Sequence, residues 1–142
     1  EIFGDGPEYQ NLKFKIENLK LSDQVKLAGQ VPREELLRKL ADASIFILNT
    51  SFESFSFQIV EAMHAGIPVI ATNIGNLAEI VENNKEGILV EPNNKKEILA
   101  AIKKIDSDPA FRNMIIENAK EKARQFSIEN TINQVAQLLS TL

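Results

Sequence analysis

The 142-residue sequence contains no cysteine, a single histidine and no apolar run near the length of a membrane span. Without cysteine, the chain can form neither a disulfide framework nor a thiolate metal site, and it has no cysteine nucleophile. A membrane-spanning helix needs about 20 mostly apolar residues, and the opening residues EIFGDGPEYQ do not have the pattern of a signal peptide. These absences favour a cytoplasmic protein without an integral membrane segment.

Positive charge is also scarce. The chain has 16 basic and 20 acidic side chains, and its net charge is −4. Such a surface does not attract nucleic acid or anionic lipid, so we expect neither as a partner. Apolar residues make up 44% of the sequence and charged residues 25%, which is typical of a globular protein. The length suits one domain, and we predict a single domain over residues 1–142.

Five short runs rich in β-branched and aromatic residues alternate with segments of helical period. The runs are EIFG, QVKLAG, SIFILN, PVIAT and GILVEP. Between them the pattern predicts helices at about 8–20, 33–42, 55–65 and 76–83, and these spacings suit crossovers rather than hairpins. Several runs are apolar on both faces, as in a parallel sheet with helices on both sides. The sequence therefore predicts a doubly wound, Rossmann-like α/β fold.

After GILVEPNN the pattern predicts only helices, at about 94–106, 109–125 and 128–140. Asn94, Asp108 and Ser127 stand at the starts of these helices, and all three are residue types that cap helix N-termini. Pro109 suits the first turn of a helix. We therefore predict a helical extension over about 94–142.

Ligands of doubly wound sheets bind beyond the carboxyl ends of the strands. The loops at these ends are residues 4–7, 29–31, 50–57 and 72–76. The third loop carries Glu53 and leads into a helix that carries Glu61. A helix N-terminus attracts phosphate, and flanking carboxylates suit the hydroxyls of sugars on either side of phosphates. On spacing alone, it is equally plausible that Glu53 is a solvated loop acid and Glu61 an exposed helix acid.

The segment that starts at Glu53 reads E-x7-E-A-M-x-A-G-x-P-V-I-A-T, and it is followed by Gly75, AEIV and GILVEP. With FGDGPEYQNLKFKIENLKLSDQVKLAGQV before it and DPAFRNMIIENAKEKARQFSIEN after it, the chain resembles the C-terminal donor-binding domain of the retaining group 1 glycosyltransferases (family 4, GT-B architecture). The resemblance covers essentially all 142 residues. It implies a fragment of an enzyme that moves a sugar from a nucleotide-diphosphate sugar to an acceptor with retention of configuration.

Carried over to this sequence, the family's pair of acids gives each carboxylate a role. Glu53 would be the catalytic residue, facing the donor sugar and the reacting centre, and Glu61 would accept hydrogen bonds from the ribose of the nucleotide. The resemblance implies no metal or other cofactor. The single histidine, His64, has no acidic or histidine partner at ligand spacing, so we predict no metal site there.

The loop after Glu53 departs from the family, which commonly has E-G-F-G where this sequence has Glu53-Ser54-Phe55-Ser56. The resemblance implies that this loop and Phe57 contact the donor, with the N–H groups of Ser56 and Phe57 cradling its diphosphate. Because serine tolerates positive φ poorly, either the loop follows another path or the hydroxyls of Ser54 and Ser56 contact the ligand. The alternative function is a non-catalytic Rossmann-like assembly module that has lost donor binding.

The resemblance also implies donor contacts near the start of the chain and the absence of the other half of the enzyme. Gln30 and Val31 would lie against the base, and Gly4 and Gly6 would line the phosphate side. The family's first strand, which would lie between EIF and IFILN, its Arg/Lys pair and the acceptor-binding N-terminal domain would all lie upstream. The departing diphosphate needs cationic stabilisation, so we expect these residues alone to be inactive. Any peripheral membrane contact would come through the absent half.

Overall fold

The structure, a computed structural model, describes residues 1–140. Backbone contacts divide the chain into two compact units, one of Glu1–Lys39 and a second that begins at Leu40. The boundary falls within a helix. The assignment of a single domain remains a prediction.

The first unit is built around two short parallel strands. Its elements are β1 (Ile2–Phe3), α1 (Tyr9–Asn18), β2 (Leu27–Gly29) and most of α2 (Arg33–Ala41). Ile2 lies opposite Leu27 in the parallel pair. Glu1 forms ion pairs with Lys26 and Lys39 at 3.4 and 3.3 Å. All three side chains are at least partly exposed to solvent, so these pairs contribute little to stability.

The second unit contains the remaining strands and helices. They are β3 (Phe46–Leu48), α3 (Phe57–Ala65), β4 (Val69–Thr72), α4 (Leu77–Ile80), β5 (Ile88–Val90), α5 (Lys95–Ser107), α6 (Pro109–Arg124) and α7 (Ile128–Leu139). β4 lies between β3 and β5, and both pairings are parallel. The five strands and seven helices predicted from the sequence are all present, close to their predicted bounds.

The side chains of β4 alternate between two apolar clusters, one on each face of the sheet. Val69 and Ala71 pack in a cluster with α3, α4 and the later part of α6. Ile70 packs in the other cluster with β5, α5 and Ile115 of α6. Burying a large aliphatic side chain contributes about 1.5–3 kcal/mol, so both faces of the sheet stabilise the fold. The doubly wound α/β prediction is confirmed.

The helix ends follow from local chemistry that the sequence already contains. The side chains of Asn94, Asp108 and Ser127 each accept a hydrogen bond from an N–H in the first turn of the following helix, at 3.3, 2.9 and 3.2 Å. Such caps stabilise a helix by about 1 kcal/mol each. α3 ends at Gly66 in the left-handed conformation, with φ of 74° and ψ of 31°. No helix within residues 1–140 is both long and apolar enough to cross a bilayer.

The strands hydrogen bond as two parallel sheets, β1-β2 and β3-β4-β5, rather than as one. The alternation of strands and helices predicts parallel crossovers, but it does not determine which strands become neighbours. In the part of the chain that the structure describes, no strand pairing links β1 with β3.

Candidate functional site

Two of the four predicted loops, residues 50–57 and 72–76, lie against each other in the second unit. The hydroxyl of Thr72, at the end of β4, donates to the carbonyl oxygen of Thr50 at 2.8 Å and accepts from the Thr50 N–H at 3.2 Å. Thr72 is fully buried, so water competes little for these bonds. They join the carboxyl ends of β3 and β4 just beyond the last paired residues, Leu48 and Ala71.

A second close approach involves Gly75 and Glu53. Gly75 has a φ of +49°, and a Cβ built on it would lie 2.7 Å from the carbonyl oxygen of Glu53. A side chain at this position would both strain the backbone and collide with a backbone atom. The backbone of the predicted catalytic residue is therefore held against the loop that follows β4.

The loop that carries Glu53 also has hydrogen bonds of its own. The hydroxyl of Thr50 donates to the carbonyl of Phe52 at 2.9 Å and accepts from the N–H of Phe52 at 3.3 Å, which closes a tight turn. Oε1 of Glu53 accepts from the N–H of Ser54 at 3.1 Å. Glu53 as a residue is half-buried, and its carboxylate has lone pairs beyond this one bond, so it can also accept hydrogen bonds from ligand hydroxyls.

Glu61 lies on α3, whose N-terminus follows the same loop. Its Oε1 atom is buried, and the residue as a whole is half-buried. At the start of α3, Ser56 Oγ accepts from the N–H of Ile59 at 3.4 Å and donates to Oε1 of Gln58 at 3.1 Å. The N–H groups of Phe57 and Gln58 belong to the first turn, where helix geometry leaves them directed out of the N-terminus. Both predicted acids thus flank the start of one helix in sequence.

The serines of this loop differ in their exposure. Ser54 is exposed, whereas Ser56 is fully buried, with its hydroxyl used to cap α3. Neither the hydroxyl nor the N–H of Ser56 can therefore reach a ligand unless neighbouring groups move. Ser56 has a φ of −103°, and Lys20, Asn84 and Asn93 are the described non-glycine residues with positive φ. The loop thus follows a path that serine tolerates.

Aromatic side chains lie within this loop and beside it. The rings of Phe55 and Phe57 meet edge to face at 5.1 Å, and Phe55 meets Phe126 at 5.7 Å. Phe57 is 69% exposed, and Phe52, directly before Glu53, is 87% exposed. Sequence reasoning had no role for Phe52 and only grouped Thr72 and Gly75 in a loop. The signal available for Phe52 was its position beside Glu53, whereas the contacts of Thr72 depend on the fold.

The predicted residues of the first unit come from two loops that are also joined to each other. The N–H of Gly4 donates to the carbonyl of Gly29 at 2.8 Å, which links the loops after β1 and β2. The carbonyl of Gly6 accepts from the first residue of α1 at 2.9 Å. Gln30 is exposed and Val31 is half-buried, and both lie between β2 and α2.

His64 is exposed on α3. Within residues 1–140, no three His, Asp or Glu side chains lie together in an arrangement that could hold a metal ion. The candidate site of the second unit therefore consists of carboxylates, backbone N–H groups and exposed aromatic rings.

The sequence matches the family model for glycosyl transferases group 1 over residues 1–122. The exopolysaccharide phosphotransferase of Streptomyces coelicolor is 34% identical over 143 residues, which cover 99% of this chain and 15% of that protein. The N-acetyl-alpha-D-glucosaminyl L-malate synthase of Bacillus anthracis is 30% identical over 135 residues, which cover 94% of this chain and 35% of that protein. The chain thus spans well under half the length of these relatives.

Solved structures give the same result. The Anabaena protein HepE in complex with UDP superimposes with a TM-score of 0.87 at 30% identity, over 99% of this chain and 40% of that chain. The same protein in complex with UDP-glucose gives a TM-score of 0.86. The fold is that of the Rossmann-like C-terminal half of GT-B glycosyltransferases. On the family match and these relatives together, the chain belongs to the glycosyl transferases group 1 family.

Proposed function

We propose that this chain is the donor-binding half of a longer glycosyltransferase that transfers a sugar from a nucleotide-diphosphate sugar to an acceptor. The observation that carries the proposal is the pair of half-buried acids, Glu53 in the loop after β3 and Glu61 in the helix that follows it. The complexes of HepE with UDP and UDP-glucose support a nucleotide-diphosphate sugar as the donor. The family resemblance supports membership of family 4 and retention of configuration.

In this proposal each acid serves one sugar of the donor. Glu53 is the catalytic residue and faces the transferred sugar, and Glu61 accepts hydrogen bonds from the ribose. Ionised carboxylates form strong hydrogen bonds with hydroxyl groups, and partial burial strengthens them further because water competes less. This chemistry favours the proposal over two acids that merely face solvent.

The diphosphate is proposed to bind at the N-terminus of α3. The first-turn N–H groups there attract an anion, and the helix dipole adds about 0.3–1 kcal/mol. Phe57, a largely exposed residue, supplies an N–H. Ser54 and Phe55 contact the donor from the loop, and Ser56 contributes only if the loop moves. For the first unit we keep the assignments of Gln30 and Val31 to the base and of Gly4 and Gly6 to the phosphates.

The other half of the reaction is assigned to the rest of the longer protein. This chain spans 15% and 35% of two relatives and 40% of the HepE chain. We propose that the acceptor site and the cations that stabilise the leaving diphosphate lie in the remainder, that no metal is needed, and that residues 1–142 alone are inactive. The alternative, an assembly module that no longer binds a donor, predicts no nucleotide binding by the full-length protein.

Calorimetric titration of the full-length protein with UDP, GDP and ADP tests the proposal. We expect one nucleotide to bind, and we expect Glu61→Gln to weaken it by about 1–3 kcal/mol because a charged acceptor of ribose is lost. Glu117→Gln is the matched control, since Glu117 is a 72% exposed acid on α6 that pairs with Lys120. If the wild-type protein binds none of the three nucleotides and hydrolyses no nucleotide-sugar, the results favour the alternative function, an assembly module.

A further inference from the structure

The loop that carries Glu53 contacts the end of β4 and the loop that follows β4, at one point each. At the first point, Thr72 Oγ1 contacts both backbone polar groups of Thr50, the carbonyl at 2.8 Å and the N–H at 3.2 Å. At the second, Gly75 lies so close to Glu53 that a Cβ on it would come within 2.7 Å of the Glu53 carbonyl oxygen. Residues 72–75 therefore hold the loop 50–53 at its first and last residues.

The backbone of Thr72 pairs with the strand on one side, and its side chain contacts the loop after the strand on the other side. Its backbone lies opposite Val90 of β5, whereas its buried side chain reaches to Thr50 beyond β3. A valine has the same shape and would fill the same space. It would leave the N–H and the carbonyl of Thr50 without this partner in a partly buried environment. The hydroxyl is therefore needed to hold Thr50 rather than to fill the core.

The carboxylate of Glu53 is held much less firmly than its backbone. Its hydrogen bond is local, from the N–H of the next residue at 3.1 Å. The position of the carboxylate consequently depends on where the loop places the Glu53 backbone. A displacement of about 1 Å at a reacting centre can lower a rate about 100-fold.

We propose that Thr72 is a positioning residue that, together with Gly75, sets the place of the Glu53 carboxylate relative to the donor sugar. Thr72 is fully buried and its hydroxyl bonds to the backbone of Thr50, so it acts through Thr50. This inference rests on the proposed function of Glu53. It adds a requirement for the residue at the carboxyl end of β4, namely a buried hydroxyl.

The test compares Thr72→Val with Thr72→Ser in the full-length protein. The substrate is whichever of UDP-glucose, GDP-mannose and ADP-glucose the wild-type protein hydrolyses fastest. We expect Thr72→Val to lower kcat at least tenfold, while the Kd of the matching nucleoside diphosphate changes less than threefold because that ligand has no sugar for Glu53. Thr72→Ser keeps the hydroxyl and should stay within threefold of wild-type kcat. An unchanged kcat in Thr72→Val, an equal defect in Thr72→Ser, or a parallel loss of nucleotide affinity would overturn the inference.

A second measurement separates this inference from the proposed function. Amide hydrogen exchange in Thr72→Val should accelerate at residues 50–56 and stay unchanged in α1, which belongs to the first unit. Unchanged exchange at Thr50 would overturn the positioning role even if nucleotide binds normally. If wild type binds no nucleotide but exchange at Thr50 accelerates, the proposed function fails while the fastening of the loop stands.

Discussion

The side-chain oxygen of Asn49 accepts a hydrogen bond from the backbone N–H of Asn93 at 3.1 Å, across 44 positions of sequence. Asn49 follows β3, and Asn93 lies in the turn after β5 with a φ of +60°. The loops beyond the two outer strands of the three-stranded sheet are therefore joined directly. Together with the bonds between Thr72 and Thr50, this contact fixes the carboxyl edge of the sheet, where the candidate site lies.

Removing the Asn49 side chain should weaken this edge. We expect Asn49→Ala to lower the free energy of opening of the second unit by about 0.5–1.5 kcal/mol, the usual contribution of one hydrogen bond. Native-state hydrogen exchange of the β4 amides measures this quantity. Asn49→Asp is the control, because it retains an acceptor oxygen and should stay near wild type. Equal losses in the two variants would contradict a role for the acceptor.

Gly66 gives a second test of stability. A Cβ at Gly66 would lie 2.7 Å from Cε of Lys120, and the φ of +74° disfavours any other residue. We expect Gly66→Ala to cost about 1–2 kcal/mol, chiefly from the left-handed backbone, because the end of a lysine side chain can move away. Hydrogen exchange in α3 should show this loss, and adding Lys120→Ala should restore little of it. Full restoration by the second substitution would instead identify the steric contact as the cause.

Gly75→Ala should distort the structure more than Gly66→Ala, and it should also lower activity. The φ of +49° is similarly strained, but the atom in the way is the carbonyl oxygen of Glu53, which belongs to the backbone. The loop must therefore shift, and we expect nucleotide-sugar hydrolysis by the full-length protein to fall at least tenfold. Circular dichroism and exchange in α5 serve as controls for folding. Retention of full activity would mean that the loop tolerates this shift.

Much of the fold could be predicted from local sequence patterns. The caps at Asn94, Asp108 and Ser127 bond to groups three positions away, so the sequence alone contains both partners. The end of α3 at Gly66 is similarly local. Apolar periodicity located the strands because burial on both faces removes polar residues from a strand.

The details of the site could not be predicted in the same way. The partners of Thr72 and Asn93 lie 22 and 44 positions away, and no local pattern encodes such contacts. The buried state of Ser56 was also unforeseen, since a serine in this loop suits a ligand contact as well as a helix cap. The family resemblance suggested the roles that we propose for Glu53 and Glu61, while the fold showed which residues hold the loop.

Two side chains accept hydrogen bonds from backbone N–H groups at the outer edge of β5. The carbonyl of Val90 accepts from Asn73 on the side of β4, so the neighbouring N–H groups of Leu89 and Glu91 point away from the sheet. Oδ1 of Asn83 accepts from the first at 3.0 Å, and Oε2 of Glu97 accepts from the second at 2.8 Å. Unpaired groups on an edge strand can pair with another chain, and these two side chains occupy them.

Removing both acceptor side chains should therefore leave the N–H groups of Leu89 and Glu91 unpaired at the outer edge of β5. We expect Asn83→Ala with Glu97→Ala to increase self-association of the full-length protein at high concentration, measured by sedimentation velocity. Asn83→Asp with Glu97→Gln retains an acceptor at each position and should remain like wild type. Equal association of the two double variants would mean that the acceptor oxygens of Asn83 and Glu97 do not protect the edge.

The two proposed carboxylate roles lead to different kinetic defects. If Glu53 faces the transferred sugar, Glu53→Gln should lower kcat by about 100-fold or more, in the range typical of groups that act on the reacting centre. The affinity for the free nucleoside diphosphate should change less than threefold, because that ligand lacks the sugar. Glu61→Gln should do the reverse and weaken the nucleoside diphosphate while affecting kcat less. Both substitutions keep the shape of the side chain, so steady-state kinetics and calorimetry on the same preparations separate the roles. If Glu53→Gln weakened nucleotide binding as much as Glu61→Gln does, the two acids would bind one part of the ligand, and the assignment of one carboxylate to each sugar would be wrong.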